Sequence, residues 1–251
     1  MIKNVVAFIA GILISANALS QEAAEIRRDL PSFSRITASP YINLVLREGP
    51  DEAIRIVYED VDRENINIDV KGKTLRIFLK DSRISDKTVR VSRNEKREYY
   101  EGAKVTAYVT YRKLDRLEIR GHQQLICESP ISSEKFKLKA YGRNEINLVS
   151  LKTEYLKTRL YGENTLRVSG GRAEYQKYKL YGENDINTED LNSYHTQATI
   201  FGESKLRLNT QDELVIHAFG ESRVSLIGNA IVNKGLVIGR TDIRRVDQEE
   251  L

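Results

Sequence analysis

Three nine-residue stretches decide the fold: LYGENTLRV at residues 160–168, LYGENDINT at 180–188 and IFGESKLRL at 200–208. Each one places an aromatic residue before a glycine and an alternating segment after it. Further copies centre on Gly121, Gly142, Gly220 and Gly239, and successive glycines are 21, 20, 20, 20, 18 and 19 residues apart. Such near-constant spacing is typical of stacked structural repeats.

Apolar and polar residues alternate on both sides of each glycine. This period of two indicates half-buried β-strands, whereas a helix requires apolar residues three and four positions apart. The inward columns include Ala140, Leu160, Leu180, Ile200 and Ala218 before the glycine, and Ile146, Leu166, Ile186, Leu206 and Val224 after it. An earlier column containing Thr158, Tyr178 and Ala198 is imperfect.

The sequence therefore predicts an all-β parallel solenoid over residues 114–246, with about twenty residues in each coil. Each strand would pair in parallel with the same strand of the next coil. The competing architecture is an antiparallel meander or sandwich. It would explain short strands, but not why one residue type returns at one place in the period.

Three other segments differ from the repeats. Residues 1–20 read as a signal peptide, because Lys3 precedes an apolar run at 5–14 that ends in small residues; the alternative is a membrane anchor. Residues 21–113 form a β region without the period, which we expect to supply irregular first coils or a cap. Within it, residues 81–102 are charged and predict a nearly core-less, mobile insertion, and the tail at 247–251 belongs to a charged RRVDQEEL segment suited to capping the other end.

Composition narrows the function classes. The formal net charge is +4 on 40 basic and 36 acidic residues, so the surface is mixed and a nucleic-acid partner is not expected. The one cysteine, Cys127, excludes an intramolecular disulfide and is expected to be a buried small apolar residue. The mature chain carries no second apolar run long enough to cross a membrane, so we expect a protein in the periplasm, at the cell surface or outside the cell.

Several motifs together resemble the head GIN domain family of autotransporter-adhesin-like proteins, which is common in Bacteroidetes. They are FSRI beginning at Phe33, the following INLVLREG, the KGKTLRI turn and the LDRLEIRG entry into the repeats. The resemblance spans essentially the whole mature chain, although the Gly-Ile-Asn triplet is present only as GRNEIN and GENDIN. It implies a right-handed parallel β-helix, no known catalytic set and a role in adhesion.

Two outward-facing sets of residues are candidate ligand-binding groups. The residues before the glycines form an aromatic row, which would either stack to shield the corner or offer a platform for sugars or a partner protein. Positions on the preceding strand form a basic patch, which would be either a solvated face or a site for an anionic glycan, lipopolysaccharide or acidic protein. The aromatic row is Tyr141, Tyr161, Tyr181, Phe201 and Phe219; the basic patch is Lys137, Lys139, Lys157, Arg159, Lys177 and Lys179.

Two further columns follow the corner glycines Gly142, Gly162, Gly182, Gly202 and Gly220. Asn144, Asn164 and Asn184 predict a structural ladder of side-chain amides. Glu163, Glu183, Glu203 and Glu221 would be held apart by solvent and nearby cations, or would share a divalent cation. We assign neither a metal nor another cofactor.

The function that these patterns favour is an exported, non-enzymatic binding or adhesion protein of the cell envelope, with an envelope glycan or protein as partner. The histidines His122, His195 and His217 lie in different columns and suggest no catalytic group. The alternative is a carbohydrate-active enzyme, a polysaccharide lyase or hydrolase, on the same scaffold. The sequence assigns no oligomeric state.

Overall fold

A computed structural model describes residues 23–84, 88–90 and 96–246 of the chain. The predicted signal peptide and the tail at 247–251 lie outside these described residues. Within them, no helix has the length and apolar character needed to cross a membrane.

The repeats form a parallel β-solenoid, as predicted. Its strands are β10 (Arg116–Cys127), β11 (Ile131–Leu148), β12 (Leu151–Val168), β13 (Gly171–Ile227) and β14 (Ile231–Arg245). Each pairs in parallel with the next, and the corner glycines are in register, as in the pairing of Gly142 with Gly162 and of Gly162 with Gly182. The antiparallel alternative is therefore wrong for the coils.

The corner glycines are required by backbone conformation and by close stacking. Gly162 has a φ of +101°, and a Cβ atom on it would lie 2.3 Å from the carbonyl oxygen of Gly142. Both conditions exclude a side chain, because φ values of this kind strain L-residues and the neighbouring backbone cannot move aside. The period of the sequence therefore follows from the stacking of one corner on the next.

The column that looked imperfect in the sequence lies fully inside the solenoid. Thr158, Tyr178 and Ala198 are all buried. The Tyr178 hydroxyl donates to the side-chain oxygen of Gln176 and lies 3.4 Å from Thr188 Oγ1. Burial raises the pKa of Tyr178. The hydroxyl of Tyr178 is therefore satisfied inside the solenoid, whereas Thr158 Oγ1 has no hydrogen-bond partner among the described residues.

The N-terminal region extends the solenoid and then caps it. Its strands are β1 (Ala24–Asp29), β2 (Arg35–Ala38), β3 (Ile42–Glu48), β4 (Ala53–Glu59), β5 (Ile66–Lys71), β6 (Thr74–Leu79) and β9 (Lys104–Tyr111), and a 3-10 turn lies at Arg63–Asn65. β2 and β3 pair in parallel with the two halves of β10, and β6 and β9 pair in parallel with β2 and β3. β5, β4 and β1 then add in antiparallel fashion, so that this end is covered by hairpin-type strands.

The predicted insertion at 81–102 contributes one buried aromatic ring, Tyr100, to the cap. It contains the antiparallel pair β7 (Thr88–Arg90) and β8 (Lys96–Glu98). Tyr100 is only 4% exposed, and its hydroxyl donates to the carbonyl oxygen of Lys80 at 2.9 Å. The Tyr41 hydroxyl donates to Glu98 Oε2 at 2.5 Å. One buried aromatic ring and these hydrogen bonds attach the segment to the cap.

Of the segment predicted to cap the far end of the solenoid, residues 244–246 are described, and Arg245 binds the turn before β14. The guanidinium group of Arg245 donates to the carbonyl oxygens of Gly228 at 2.8 Å and Ala230 at 2.6 Å. Several apolar residues of β14 nevertheless remain exposed, among them Ile231, Leu236 and Ile238. The last coil is therefore less completely buried than the coils before it.

Candidate functional site

Alternation along each coil gives the solenoid two chemically different outer surfaces. We call the outward surface formed by Lys157, Arg159, Tyr161 and their equivalents on the other coils the basic face, and the column of glutamates directly after the corner glycines the acidic face. The coil of β12 is an example. It presents Lys157, Arg159 and Tyr161 on the basic face and Glu163 on the acidic face, whereas Asn164 points inward.

The basic face carries a column of cations that is longer than the sequence indicated. Strand register places the following residues side by side on successive rungs: Arg35, Arg116, Lys137, Lys157 and Lys177. We call these five residues the cation column. Two of them, Arg35 and Arg116, lie outside the predicted basic patch. Arg116 lies five residues before Gly121, as Lys137 does before Gly142, so the repeat could have identified it; Arg35 lies in the cap and has no such signal.

A second, shorter set of cations runs beside the cation column. Lys139, Arg159 and Lys179 are in register on three coils. Glu118 precedes them and pairs with Arg120 and, at 3.7 Å, with Lys139. An acidic residue thus ends this second set at the rung where the cation column continues through Arg116.

The cation column lacks opposite charges. Within the described residues, none of its five members forms an ion pair, and all are partly buried. The pKa of Lys157 is lowered, first by the charge of Arg159, then by burial and by Lys137, Lys177 and Lys179. Like charges placed side by side on a sheet destabilise it. Repulsion within the cation column therefore lowers the stability of the folded protein.

The aromatic row flanks these cations on the corner side. Its ring planes lie within 5° of parallel, and neighbouring centroids are 4.8–5.0 Å apart. The guanidinium carbon of Arg120 lies 5.5 Å from the Tyr141 ring centroid at one end, and Ile238 is in register with Phe219 at the other. The rings largely cover one another's faces, so they present edges and hydroxyl groups outward. This geometry favours the shielding interpretation over a platform on which sugar rings stack face to face.

A second aromatic stack, which the sequence analysis did not identify, flanks the cations on the other side. The ring centroids of Tyr155 and Tyr175 are 5.0 Å apart with planes 5° from parallel, and His195 continues this column. The Tyr175 hydroxyl donates to Gln197 Oε1 at 3.0 Å. The twenty-residue spacing of Tyr155 and Tyr175 was a usable signal. The cations of the coils therefore lie between two rows of aromatic side chains.

The inward amide column after the glycines is hydrogen-bonded from coil to coil. Asn144 Nδ2 donates to Asn164 Oδ1 at 2.8 Å, and Asn164 Nδ2 donates to Asn184 Oδ1 at 3.2 Å. All three side chains are buried. These hydrogen bonds tie successive corners together.

The acidic face borders an open groove of about 1350 Å³. Its carboxylates Glu163, Glu183, Glu203 and Glu221 are exposed, and Arg143 forms an ion pair with Glu163 at 2.7 Å. Arg240 is in register with Glu221 at the opposite end. Among the described residues, no group of three or more His, Cys, Asp or Glu side chains is placed to hold a metal ion. Among the described residues, Arg143 is the arginine that pairs with a glutamate of this column, whereas Arg240 pairs with Asp242 at 3.2 Å.

Comparison with known families agrees with this architecture. The family described as "Putative auto-transporter adhesin, head GIN domain" matches residues 32–230. The chain belongs to the head GIN domain family. No curated protein matches it. The family description fits an adhesion-type protein and is consistent with export.

Solved structures share the head GIN domain fold at low sequence identity. A putative adhesin from Bacteroides fragilis has a TM-score of 0.72 at 18% identity, with 90% of this chain and 98% of that chain covered. A putative adhesin from Parabacteroides merdae has a TM-score of 0.64 at 17% identity, with 90% of this chain and 97% of that chain covered. A putative lipid binding protein from Parabacteroides distasonis has a TM-score of 0.65 at 12% identity, with 90% of this chain and 98% of that chain covered. At these identities the likeness supports the fold alone.

The reactive side chains of this head GIN domain protein are dispersed. His195 lies 3.5 Å from Asp212, and His217 Nδ1 accepts a hydrogen bond from the Leu236 amide at 3.2 Å. Cys127 is buried, as predicted, and burial raises the pKa of its thiol. A buried thiol of this kind is a poor nucleophile. The charged side chains of the surface, by contrast, are arranged in regular columns.

Proposed function

We propose that this head GIN domain protein is exported and acts as a non-enzymatic binding protein of the cell envelope, with the basic face as its ligand-binding surface. The observation that carries the proposal is the cation column, which holds partly buried positive charges side by side without acidic partners. Such an arrangement costs folding free energy. A bound anionic ligand would offset that cost.

The amide column and the aromatic rows have a stabilising explanation that needs no ligand. The amide column forms hydrogen bonds between coils, and the aromatic rows stack. The exposed carboxylates of the acidic face remain in water and have arginines at the ends of their column. The basic face is therefore the surface with the strongest argument for binding.

The comparisons support the envelope setting. The family description names an auto-transporter adhesin head, and the solved neighbours are titled as adhesins or as a lipid binding protein. The apolar N-terminal run with its preceding Lys3 supports export. A fusion of residues 1–30 to alkaline phosphatase would test this part directly, since the phosphatase is active only after export from the cytoplasm.

Binding to isolated cell envelopes of Bacteroides fragilis tests the role of the basic face. The test variant is Lys157→Ser with Arg159→Ser and Tyr161→Ser. The control is Lys152→Ser with Thr165→Ser and Arg167→Ser, which removes the same net charge from exposed positions of the same coil. We expect the test variant to lose binding and the control to keep it, with circular dichroism unchanged in both. Equal binding by the two folded variants would refute the basic face as the site.

An enzymatic role predicts a different observation. Incubating the protein with a panel of polysaccharides, with and without calcium, should release no reducing ends and no unsaturated sugars. Time-dependent release of either product would refute the non-enzymatic assignment and favour the polysaccharide lyase or hydrolase.

A further inference from the structure

We infer that the ligand of the basic face is an extended polyanionic glycan that lies along the solenoid axis, with successive acidic groups against successive members of the cation column. This inference rests on the proposed function and specifies its ligand. It follows from the length of the cation column, its direction and the chemistry of its borders.

The length of the cation column favours an extended ligand. Its members occupy five consecutive rungs, from Arg35 in the cap to Lys177 in the solenoid. At about 4.8 Å per rung, four intervals span about 19 Å. A single sulfate, phosphate or carboxylate would contact only two or three of these cations. A chain with a regular repeat of anionic groups would contact all five.

The direction of the ligand follows from the positions at which the rows of cations end. Across the strand, only Lys157 and Arg159 separate Tyr155 from Tyr161, so a ligand in that direction meets two cations per coil. Beside the cation column, Glu118 ends the second set of cations. Along the axis, the cation column continues without an acidic residue in register. A long anionic ligand therefore gains most by following the axis.

The borders favour a glycan over a membrane surface. The hydroxyl groups of Tyr141, Tyr161 and Tyr181 form no hydrogen bond within the described part of the chain, and they can donate to or accept from a hydroxyl-rich ligand. Membrane-bound surfaces insert apolar groups. Here the exposed apolar side chains Phe201 and Ile238 lie beyond the last cation rung, so charge and apolar surface do not coincide.

Oligogalacturonates of defined length provide the probe, because they carry one carboxylate on every sugar. Affinity should rise with chain length until the oligomer covers the cation column, at about five sugars, and then level off. It should also fall with added salt, because exposed charges are screened. Neutral dextran oligomers of the same lengths serve as the uncharged control and should not bind.

Two variants of equal charge test whether the ligand contacts the cation column. The column variant is Arg116→Gln with Lys137→Gln and Lys177→Gln. The control is Lys152→Gln with Arg167→Gln and Lys205→Gln, all exposed and off the basic face. We expect the column variant to weaken binding of the longest oligomer by about tenfold or more, and the control by less than about twofold.

The outcomes separate this inference from the proposed function. Equal losses in the column variant and the control, or an affinity that levels off at two sugars, would overturn the axial glycan. So would tighter binding to phosphatidylglycerol vesicles or to polyglutamate than to the longest oligogalacturonate. In each of these cases, selective loss of envelope binding in the Lys157, Arg159 and Tyr161 variant would still support the basic face.

Discussion

Replacing Gly162 by alanine tests whether the repeat exists because corners stack on corners. The new Cβ would lie 2.3 Å from the Gly142 carbonyl oxygen and 3.1 Å from its carbon, at a φ of +101°. The unfavourable backbone conformation costs about 1–3 kcal/mol. Relieving the clash requires a shift of hydrogen-bonded backbone in the adjoining coil, so we expect a total loss of about 3 kcal/mol or more in the free energy of unfolding.

Gly170→Ala is the matched control, because Gly170 is a neighbouring glycine whose added Cβ meets only an ordinary contact, 3.7 Å from the Val149 carbonyl oxygen. Urea unfolding and thermal unfolding, both followed by circular dichroism, give the free energy of unfolding and Tm of each variant. At about 2–4 °C per kcal/mol for a domain of this size, Gly162→Ala should lower Tm by about 6–12 °C or more. Gly170→Ala should change it by no more than a few degrees. If the two variants are equally stable, the stacked corner does not explain the glycine period.

Two further predictions concern the amide column, which stabilises the fold, and the cation column, which destabilises it. Asn164→Ala removes two hydrogen bonds of the buried amide column and should lower the free energy of unfolding in urea by about 1–3 kcal/mol. Thr165→Ala, at an exposed position, is the control and should have little effect. Equal losses in the two variants would contradict a stabilising role of the amide column. Lys157→Gln should stabilise the protein by about 0.5–1 kcal/mol, because charges about 5 Å apart in water repel by about 0.8 kcal/mol before salt screening. Since folding lowers the pKa of Lys157, its protonation favours the unfolded chain, and this penalty disappears as pH rises past 10.5, the ordinary value for lysine. The gain from Lys157→Gln should therefore be largest near pH 7 and smaller near pH 10.5; a gain that does not shrink would contradict the repulsion.

The sequence predicted the features that are tied to the corner glycine. Coil length, parallel stacking and the inward columns all follow from counting residues from Gly162 and its equivalents, because stacking keeps the phase from one coil to the next. The same counting would also have found Arg116 and the stack of Tyr155 on Tyr175. These residues recur at fixed distances from a glycine, so the information was present in the sequence.

The cap could not be predicted in the same way. Arg35 joins the cation column only because β2 pairs with β10, across a long separation in the chain and outside the repeat. The burial of Tyr100 likewise depends on how a charged segment returns to the cap. Neither contact follows from local alternation, because each is fixed by non-local packing that a period does not record. The cation column was therefore predicted at Lys137, Lys157 and Lys177, whereas Arg116 and Arg35 were missed.

Repetition by itself does not distinguish a structural column from a binding surface, since stacking copies every position of the coil. Whether a column stabilises or destabilises the fold provides the distinction. The amides of Asn144, Asn164 and Asn184 bond to one another, and the stacked rings attract, so both columns would persist without any ligand. Adjacent Lys137, Lys157 and Lys177 repel, and nothing in the fold requires a cation at these outward positions. A partly buried column of like charges is screened less by water than the exposed glutamates of the acidic face, so it needs a reason outside the fold, and an anionic ligand supplies one.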